Sequence, residues 1–227
     1  MKKAENTQLV LSDRIPWSCA VKENGANTLE TFPLISEQSV ENGSIKVVIK
    51  TFSTTNSLIK AKRYEITAGG STVFIFDKVL SQIPVNLRTK FHIRSGKDLR
   101  CNIADKSKLV IRQGGNAVKF FRLIYQADGE EVLKTASLML PDGFCENGDM
   151  GLTYYSPMHN FAKEHTVLYG ICSDTENRIA AWHFFDEEGF IVARPPSQIG
   201  GYRIAVSKEK LFIENLDALN DNIKVDI

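Results

Sequence analysis

The stretch Ile45-Lys46-Val47-Val48-Ile49-Lys50 sets Ile45, Val47 and Ile49 at every second position and interleaves them with Lys46, Val48 and Lys50. Side chains alternate between the two faces of an extended chain, so a period of two marks a half-buried strand. Leu99, Cys101 and Ile103, alternating with Arg100 and Asn102, repeat the pattern. Val73-Phe74-Ile75-Phe76 is apolar on both parities after Gly69-Gly70, which predicts a central strand covered on both faces.

Outward from these strands, turn residues punctuate the chain, because Gly and Asn accept the positive φ angles that tight connections need. Leu109 to Arg112 runs through Gln113-Gly114-Gly115-Asn116 and returns as Ala117 to Tyr125; Asp128-Gly129 then leads into Val132 to Leu140. Val167 to Cys172, Arg178 to Phe185 and Phe190 to Arg194 read as a meander of three consecutive strands. Ile204 to Val206 and Leu211 to Ile213 add two short ones, for about ten to twelve strands in all. Helical signals are sparse. Ser156-Pro157 could cap and start a helix running to His165, and Asn215 to Asn220 is a weaker second candidate.

The expectation is a mainly β chain: a single antiparallel β-sandwich of jelly-roll type with one or two short helices, a closed barrel being the alternative. No Ser/Gly-rich or Pro-rich linker divides the 227 residues, which reads as one domain over 1–227 with residues 1–44 as an extended N-terminal arm. With 43% hydrophobic and 24% charged residues the chain can bury a core.

The N-terminal residues show no signal-peptide pattern, since Leu9-Val10-Leu11 is broken by Ser12-Asp13-Arg14, and no apolar run approaches the roughly 20 residues that cross a bilayer. A cytoplasmic or other intracellular location is expected. The four cysteines, 19, 101, 145 and 172, form no C-x-x-C pair and sit at no zinc-finger spacing from a histidine, so neither a metal nor another cofactor is expected. Asn42-Gly43-Ser44 matches a glycosylation acceptor but reads as a turn.

Charge is unevenly distributed. Residues 46–122 carry 16 Lys and Arg against 4 Asp and Glu, net +12, whereas 128–227 carry 8 against 17, net −9, and 1–45 carry 4 against 6. Clustered cations reward a polyanion by releasing its counterions. Several lie beside aromatics, in Lys62-Arg63-Tyr64, Lys90-Phe91-His92-Ile93-Arg94 and Lys119-Phe120-Phe121-Arg122, where exposed rings could stack on single-stranded bases. The candidate nucleic-acid-binding residues are Lys60, Lys62, Arg63, Arg88, Lys90, Arg94, Lys97, Arg100, Lys106, Lys108, Arg112, Lys119 and Arg122. The reading is a non-enzymatic protein that binds single-stranded nucleic acid of low sequence specificity, or another polyanion, and that can form homo-oligomers.

The same residues support plainer accounts. Lysines on exposed strand positions guard edges against aggregation, and the aromatic residues could be core. Basic and acidic strands lying side by side would neutralise each other. An alternative function is a structural, matrix-like assembly protein of viral type, whose basic face meets anionic membrane peripherally or whose two charge poles join copies head to tail. A third is an enzyme with a non-local active site. His92, His159, His165 and His183 form no metal-ligand pattern, and Cys145 lies in a turn-rich, acidic stretch that disfavours a thiolate. Gly69-Gly70, Gly114-Gly115 and Gly200-Gly201 lack a phosphate-loop signature and read as turns. Asp142, Glu146, Asp149 and Asp186-Glu187-Glu188 lack the ordered alternation of a Ca²⁺ loop.

Overall fold

The computed structural model describes residues 17–23, 26–30, 32–68, 72–93, 100–103, 109–113, 116–127, 130–133, 144–148, 151–155, 159–174, 181–184, 191–194, 201–206, 209–218 and 220–227. Among them every regular element is a strand. In chain order these are β1 (Trp17–Glu23), β2 (Ala26–Glu30), β3 (Leu34–Asn42), β4 (Ile45–Ser53), β5 (Ile59–Ala68), β6 (Thr72–Ser81), β7 (Val85–Ile93), β8 (Arg100–Ile103), β9 (Leu109–Gln113) and β10 (Asn116–Ala127). There follow β11 (Glu130–Leu133), β12 (Phe144–Gly148), β13 (Gly151–Tyr155), β14 (His159–Phe161), β15 (Glu164–Asp174), β16 (Ala181–Phe184), β17 (Ile191–Arg194), β18 (Tyr202–Val206), β19 (Lys210–Asn215) and β20 (Asn222–Asp226).

The strands form three open antiparallel sheets. A central sheet runs β3-β4-β5-β6-β15-β10-β9-β8, with β11 beside β10; an N-terminal sheet runs β12-β13-β7-β1-β2, with β14 also on β7; a C-terminal sheet runs β16-β17-β18-β19-β20. The antiparallel, mainly β class holds, and the first 44 residues supply paired strands to two of the three sheets.

Burial along β4 and β5 shows how the layers meet. In β5, Tyr64, Ile66 and Ala68 are buried toward one face, called here the front, while Ile59, Ala61 and Arg63 are buried toward the other, the back. The register aligns Ile45, Val47 and Ile49 of β4 with Ala68, Ile66 and Tyr64, so these front positions form one apolar patch. It extends to Phe74, Phe76 and Leu168 and packs on Ile204, Leu211, Ile213, Ile223 and Val225 of the C-terminal sheet. On the back, at the other end of the same strands, Phe52, Ile59, Ala61 and Val79 pack with Phe32 and with Val85, Leu87 and Phe161 of the N-terminal sheet. Each half of the β4–β6 meander is thus covered on the opposite face. Just before the handover β6 is apolar on both faces, with Phe74, Ile75 and Phe76 all at 0% exposure, as the two-parity apolar run predicts.

Between the two cores lies a row of charge. Glu37, Lys50, Arg63 and Asp77 stand opposite one another on β3, β4, β5 and β6, all on the back face. Arg63 Nε and Nη2 donate to Asp77 Oδ1 and Oδ2 at 2.8 and 2.7 Å, with both side chains buried. Lys50, also buried, donates to Glu65 Oε1 at 3.2 Å. The fork geometry satisfies both carboxylate oxygens, which is what lets an ion pair sit out of water.

The Asn42-Gly43-Ser44 turn is confirmed and has a structural role. Gly43 takes φ +57°, a left-handed conformation that needs no Cβ, and the Asp221 carboxylate occupies the space where one would stand. Asp221 Oδ2 accepts from Ser44 N and Oγ at 3.0 and 3.1 Å, and Asn42 Nδ2 donates to the carbonyls of Asn220 and Asn222. The β3–β4 hairpin is thereby latched to the β19–β20 turn.

Three expectations are corrected. The helix expected from Ser156 to His165 is replaced, over its described residues, by β14 and the start of β15, because Phe161 and the 165–168 run are drawn into ladders with β7 and β6. Asn215 to Asn220 holds a turn in which Asn215 Oδ1 accepts from Asp217 N and Asp221 N donates to Ala218 O, so no second helix forms among the described residues. The meander of 167–194 divides: β15 belongs to the central sheet, inserted between β6 and β10, while β16 and β17 pair in the C-terminal sheet.

Candidate polyanion interface

The thirteen candidate basic residues separate by element and face. Lys60 and Lys62 are exposed on the front of β5. Arg63, one residue later, is 3% exposed and bound to Asp77, and is corrected from a ligand-facing cation to an internal one. Alternation alone forces this split, since consecutive residues of a strand point to opposite faces. Arg88 is half-buried on β7, and Lys90 holds the β7 position opposite Tyr155. Arg94, Lys97, Lys106 and Lys108 lie outside the described residues.

Register places the remaining four on the central sheet. Lys119 stands opposite Cys172, Arg112 opposite Ala117 and Arg100, and Arg122 opposite Tyr169. Lys60 and Lys62 occupy the β5 end beyond the C-terminal sheet, and the Arg100, Arg112 and Lys119 positions lie at the diagonal corner of the central sheet. At about 3.3 Å per residue and about 4.8 Å per strand, the Lys62 and Arg112 positions are roughly 30 Å apart. The candidate cations among the described residues therefore hold well-separated positions.

The first group includes a residue that the sequence reading missed. Lys78 of β6 is directly opposite Lys62, while Lys60 is opposite Leu80 one row on. Directly opposed side chains have Cβ atoms about 5 Å apart, so like charges there repel. Lys78 meets Glu164 at 3.8 Å, and Glu164 is itself opposite Leu80. Lys60 and Lys62 have no carboxylate within salt-bridge distance among the described residues. Flanking this patch are Thr51 and Ser53 of β4, both half-buried, and the exposed Leu80. The signal for Lys78 was its parity: it shares one with Phe74 and Phe76, and so a face with Lys62 once the strands are aligned.

The aromatics next to the cations divide likewise. Tyr64 is wholly buried, with its ring 5.7 Å from Phe76 and its hydroxyl donating to Asp226 O at 3.1 Å. Burial, with Asp226 nearby, pushes its pKa up to about 12. It is a core residue and offers no stacking surface to a base.

Catalytic candidates are dispersed. Cys145, in the stretch read from the sequence as turn-rich, lies in β12, opposite Tyr154 of β13, where Phe144 continues the ladder. His159 pairs with Leu87 on β7 whereas Tyr154 pairs with Phe91, which separates the Cys145 and His159 backbones by roughly 13 Å along the strands. His165, buried beside Phe161 with ring centroids 5.3 Å apart, belongs to the central sheet. Among the described residues no cluster of three His, Cys, Asp or Glu side chains could hold a metal ion, and no helix is long and apolar enough to cross a membrane.

No family model and no curated protein matches the sequence. Among solved structures, the chain is similar over 88% of its length to a heparinase III at 11% identity and TM-score 0.49, covering 30% of that protein. A heparan sulfate lyase from Pedobacter heparinus is matched over 87% of this chain and 28% of that one, at 8% identity and TM-score 0.41. The α-galactosidase AgaA from Geobacillus stearothermophilus is matched over 70% and 30%, at 5% identity and TM-score 0.43. The chain spans less than a third of the length of each of these proteins.

Proposed function

We propose that this chain is a non-enzymatic binding module for an anionic polymer, single-stranded nucleic acid in the first instance, captured on the front face of β5 and β6. One observation carries the reading: Lys62 and Lys78 are opposed in register with Lys60 beside them, and Lys60 and Lys62 project into solvent. Lys78 is met by Glu164, so the charge offered to a partner on this face is that of Lys60 and Lys62, which a bound phosphate would neutralise while releasing counterions. Because Tyr64 is committed to the core, recognition is electrostatic with no stacking from that residue, and sequence preference is accordingly low.

Fluorescence anisotropy with a labelled oligothymidylate at two salt concentrations tests this. Affinity is expected to fall steeply as salt rises. Binding indifferent to salt, or no binding at low salt, overturns the proposal. Ammonium groups do not distinguish phosphate from sulfate by charge, so competition with a sulfated polysaccharide in the same cell identifies the preferred polyanion.

A further inference from the structure

The latch between the β3–β4 hairpin and the β19–β20 turn rests on a chemically fragile peptide unit. Asparagine followed by glycine is thermolabile: the next backbone nitrogen can attack the side-chain amide carbon, and glycine has no Cβ to hinder the approach. The sequence holds three such pairs, Asn24-Gly25, Asn42-Gly43 and Asn147-Gly148. At the second, Asn42, Gly43 and Ser44 are exposed, and Gly43 takes the first central position of a two-residue turn, outside the ladder that ends at Asn42–Ile45. Asn42 Nδ2 donates to Asn220 O at 3.0 Å and to Asn222 O at 2.9 Å, on either side of Asp221. Both hydrogens of the amide are thus in use. These bonds fix the side chain, so its Cγ turns onto Gly43 N only when the hairpin lifts from the C-terminal sheet.

We propose that Asn42-Gly43 is a modification site whose deamidation converts the latch from closed to permanently open. Once the hairpin lifts, Gly43 N gives up its proton and bonds to Asn42 Cγ. The Cγ–Nδ2 bond breaks, and the amide nitrogen leaves with that proton as ammonia, closing a succinimide ring. Water then opens the ring, at Cγ to give aspartate or at the main-chain carbonyl of residue 42 to give isoaspartate. The balance is one water consumed and one ammonia released, with no oxidant or reductant. Either product presents a carboxylate, which has no hydrogen to donate, to the carbonyls of Asn220 and Asn222, and it sets a second negative charge beside Asp221. Isoaspartate also adds a backbone carbon to the turn, which a two-residue connection cannot absorb without disturbing the β3–β4 register. The latch therefore does not re-form. The site stands apart from the polyanion proposal, since Lys60 and Lys62 lie at the other end of β5.

Peptide mapping by mass spectrometry of the full chain, held folded at mildly alkaline pH, tests the inference. The peptide carrying Asn42 is expected to gain the mass difference between an amide and an acid, and to yield both isomers. Asp221→Ala removes the acceptor of the Ser44 bonds, so the latch opens more often and conversion at Asn42 accelerates about tenfold, while Asn24 and Asn147 keep their wild-type rates. Hydrogen exchange reads the consequence: the Ser44 amide, bonded to Asp221 Oδ2 in the wild type, is expected to exchange at least tenfold faster in the converted fraction, separated by its extra negative charge, and in Asn42→Asp. A folded chain that leaves Asn42 intact while the urea-unfolded chain converts overturns the inference. So does conversion that Asp221→Ala leaves unchanged, or a converted chain whose Ser44 amide stays as protected as in the wild type.

Discussion

The two ends of the β4–β6 meander are built from the same three strands and solve opposite problems. At the hairpin end, the front face is apolar and sealed by the C-terminal sheet, with Gly43 and Asp221 latching the turn and Tyr64 bonded to Asp226. At the other end, the back face carries the second apolar core, and the front face shows Lys60, Lys62 and Lys78 in its place. Where coverage changes sides, Arg63 and Asp77 are buried as a pair. Charge on β5 thus has two fates decided by a single residue step: Arg63 is buried with Asp77, and Lys62 is exposed to solvent.

The largest expected effect breaks the handover. Asp77→Asn leaves the Arg63 guanidinium buried without its carboxylate, which costs about 3–5 kcal/mol in urea unfolding. Replacing both residues with apolar side chains of similar volume should cost far less. A double variant as unstable as the single one would show that packing at this row, and not charge, is what matters.

Next is the hairpin latch. Gly43→Ala must adopt a left-handed φ and displace Asp221, for about 2 kcal/mol of lost stability, whereas Ser44→Ala removes only a hydroxyl and costs about 1 kcal/mol. Equal effects of the two substitutions would contradict the role given to the turn backbone.

Tyr64→Phe removes the bond to Asp226 O and is expected to cost about 1 kcal/mol at neutral pH. Its pH dependence is more telling. The folded pKa of about 12 lies above tyrosine's ordinary value of 10.0. Between these values the unfolded chain has released the proton and the folded chain retains it, so this contribution is full below pH 10 and lost as pH rises toward 12. The wild type should lose more stability than Tyr64→Phe across that interval; parallel losses would place the cause in other groups.

The smallest stability effect belongs to the exposed pair. Lys60→Gln with Lys62→Gln should shift unfolding by no more than about 0.5 kcal/mol, because both side chains are exposed and neither has a carboxylate within salt-bridge distance among the described residues. A loss comparable to that of Asp77→Asn would mean that the two ends of β5 do not differ as described.

Much of this architecture was legible because period two is a physical constraint on an extended chain. Ile45, Val47 and Ile49 alternate as buried residues, and the run at 73–76 declared a strand covered on both sides. What the sequence hid is register. Nothing local says that Arg63 meets Asp77 fourteen residues later, or that Lys78 faces Lys62, since both depend on how the β5–β6 connection aligns two strands. The buried face of β5 also changes parity between Ala61 and Tyr64, so no single alternation rule sorts its charges. Likewise, Ser156-Pro157 is a sound helix-start signal that tertiary pairing with β7 and β6 overrides. The +12 stretch was correctly counted, but a count along the chain carries no information about face, as the step from exposed Lys62 to buried Arg63 shows.

The most direct test of the division of labour on β5 is the slope of log affinity against log salt for a single-stranded oligonucleotide, measured for the wild type and for Lys60→Gln with Lys62→Gln. Loss of two phosphate contacts is expected to make the slope shallower by about 1.4. An unchanged slope, with affinity intact, would contradict the assignment of these lysines to a polyanion.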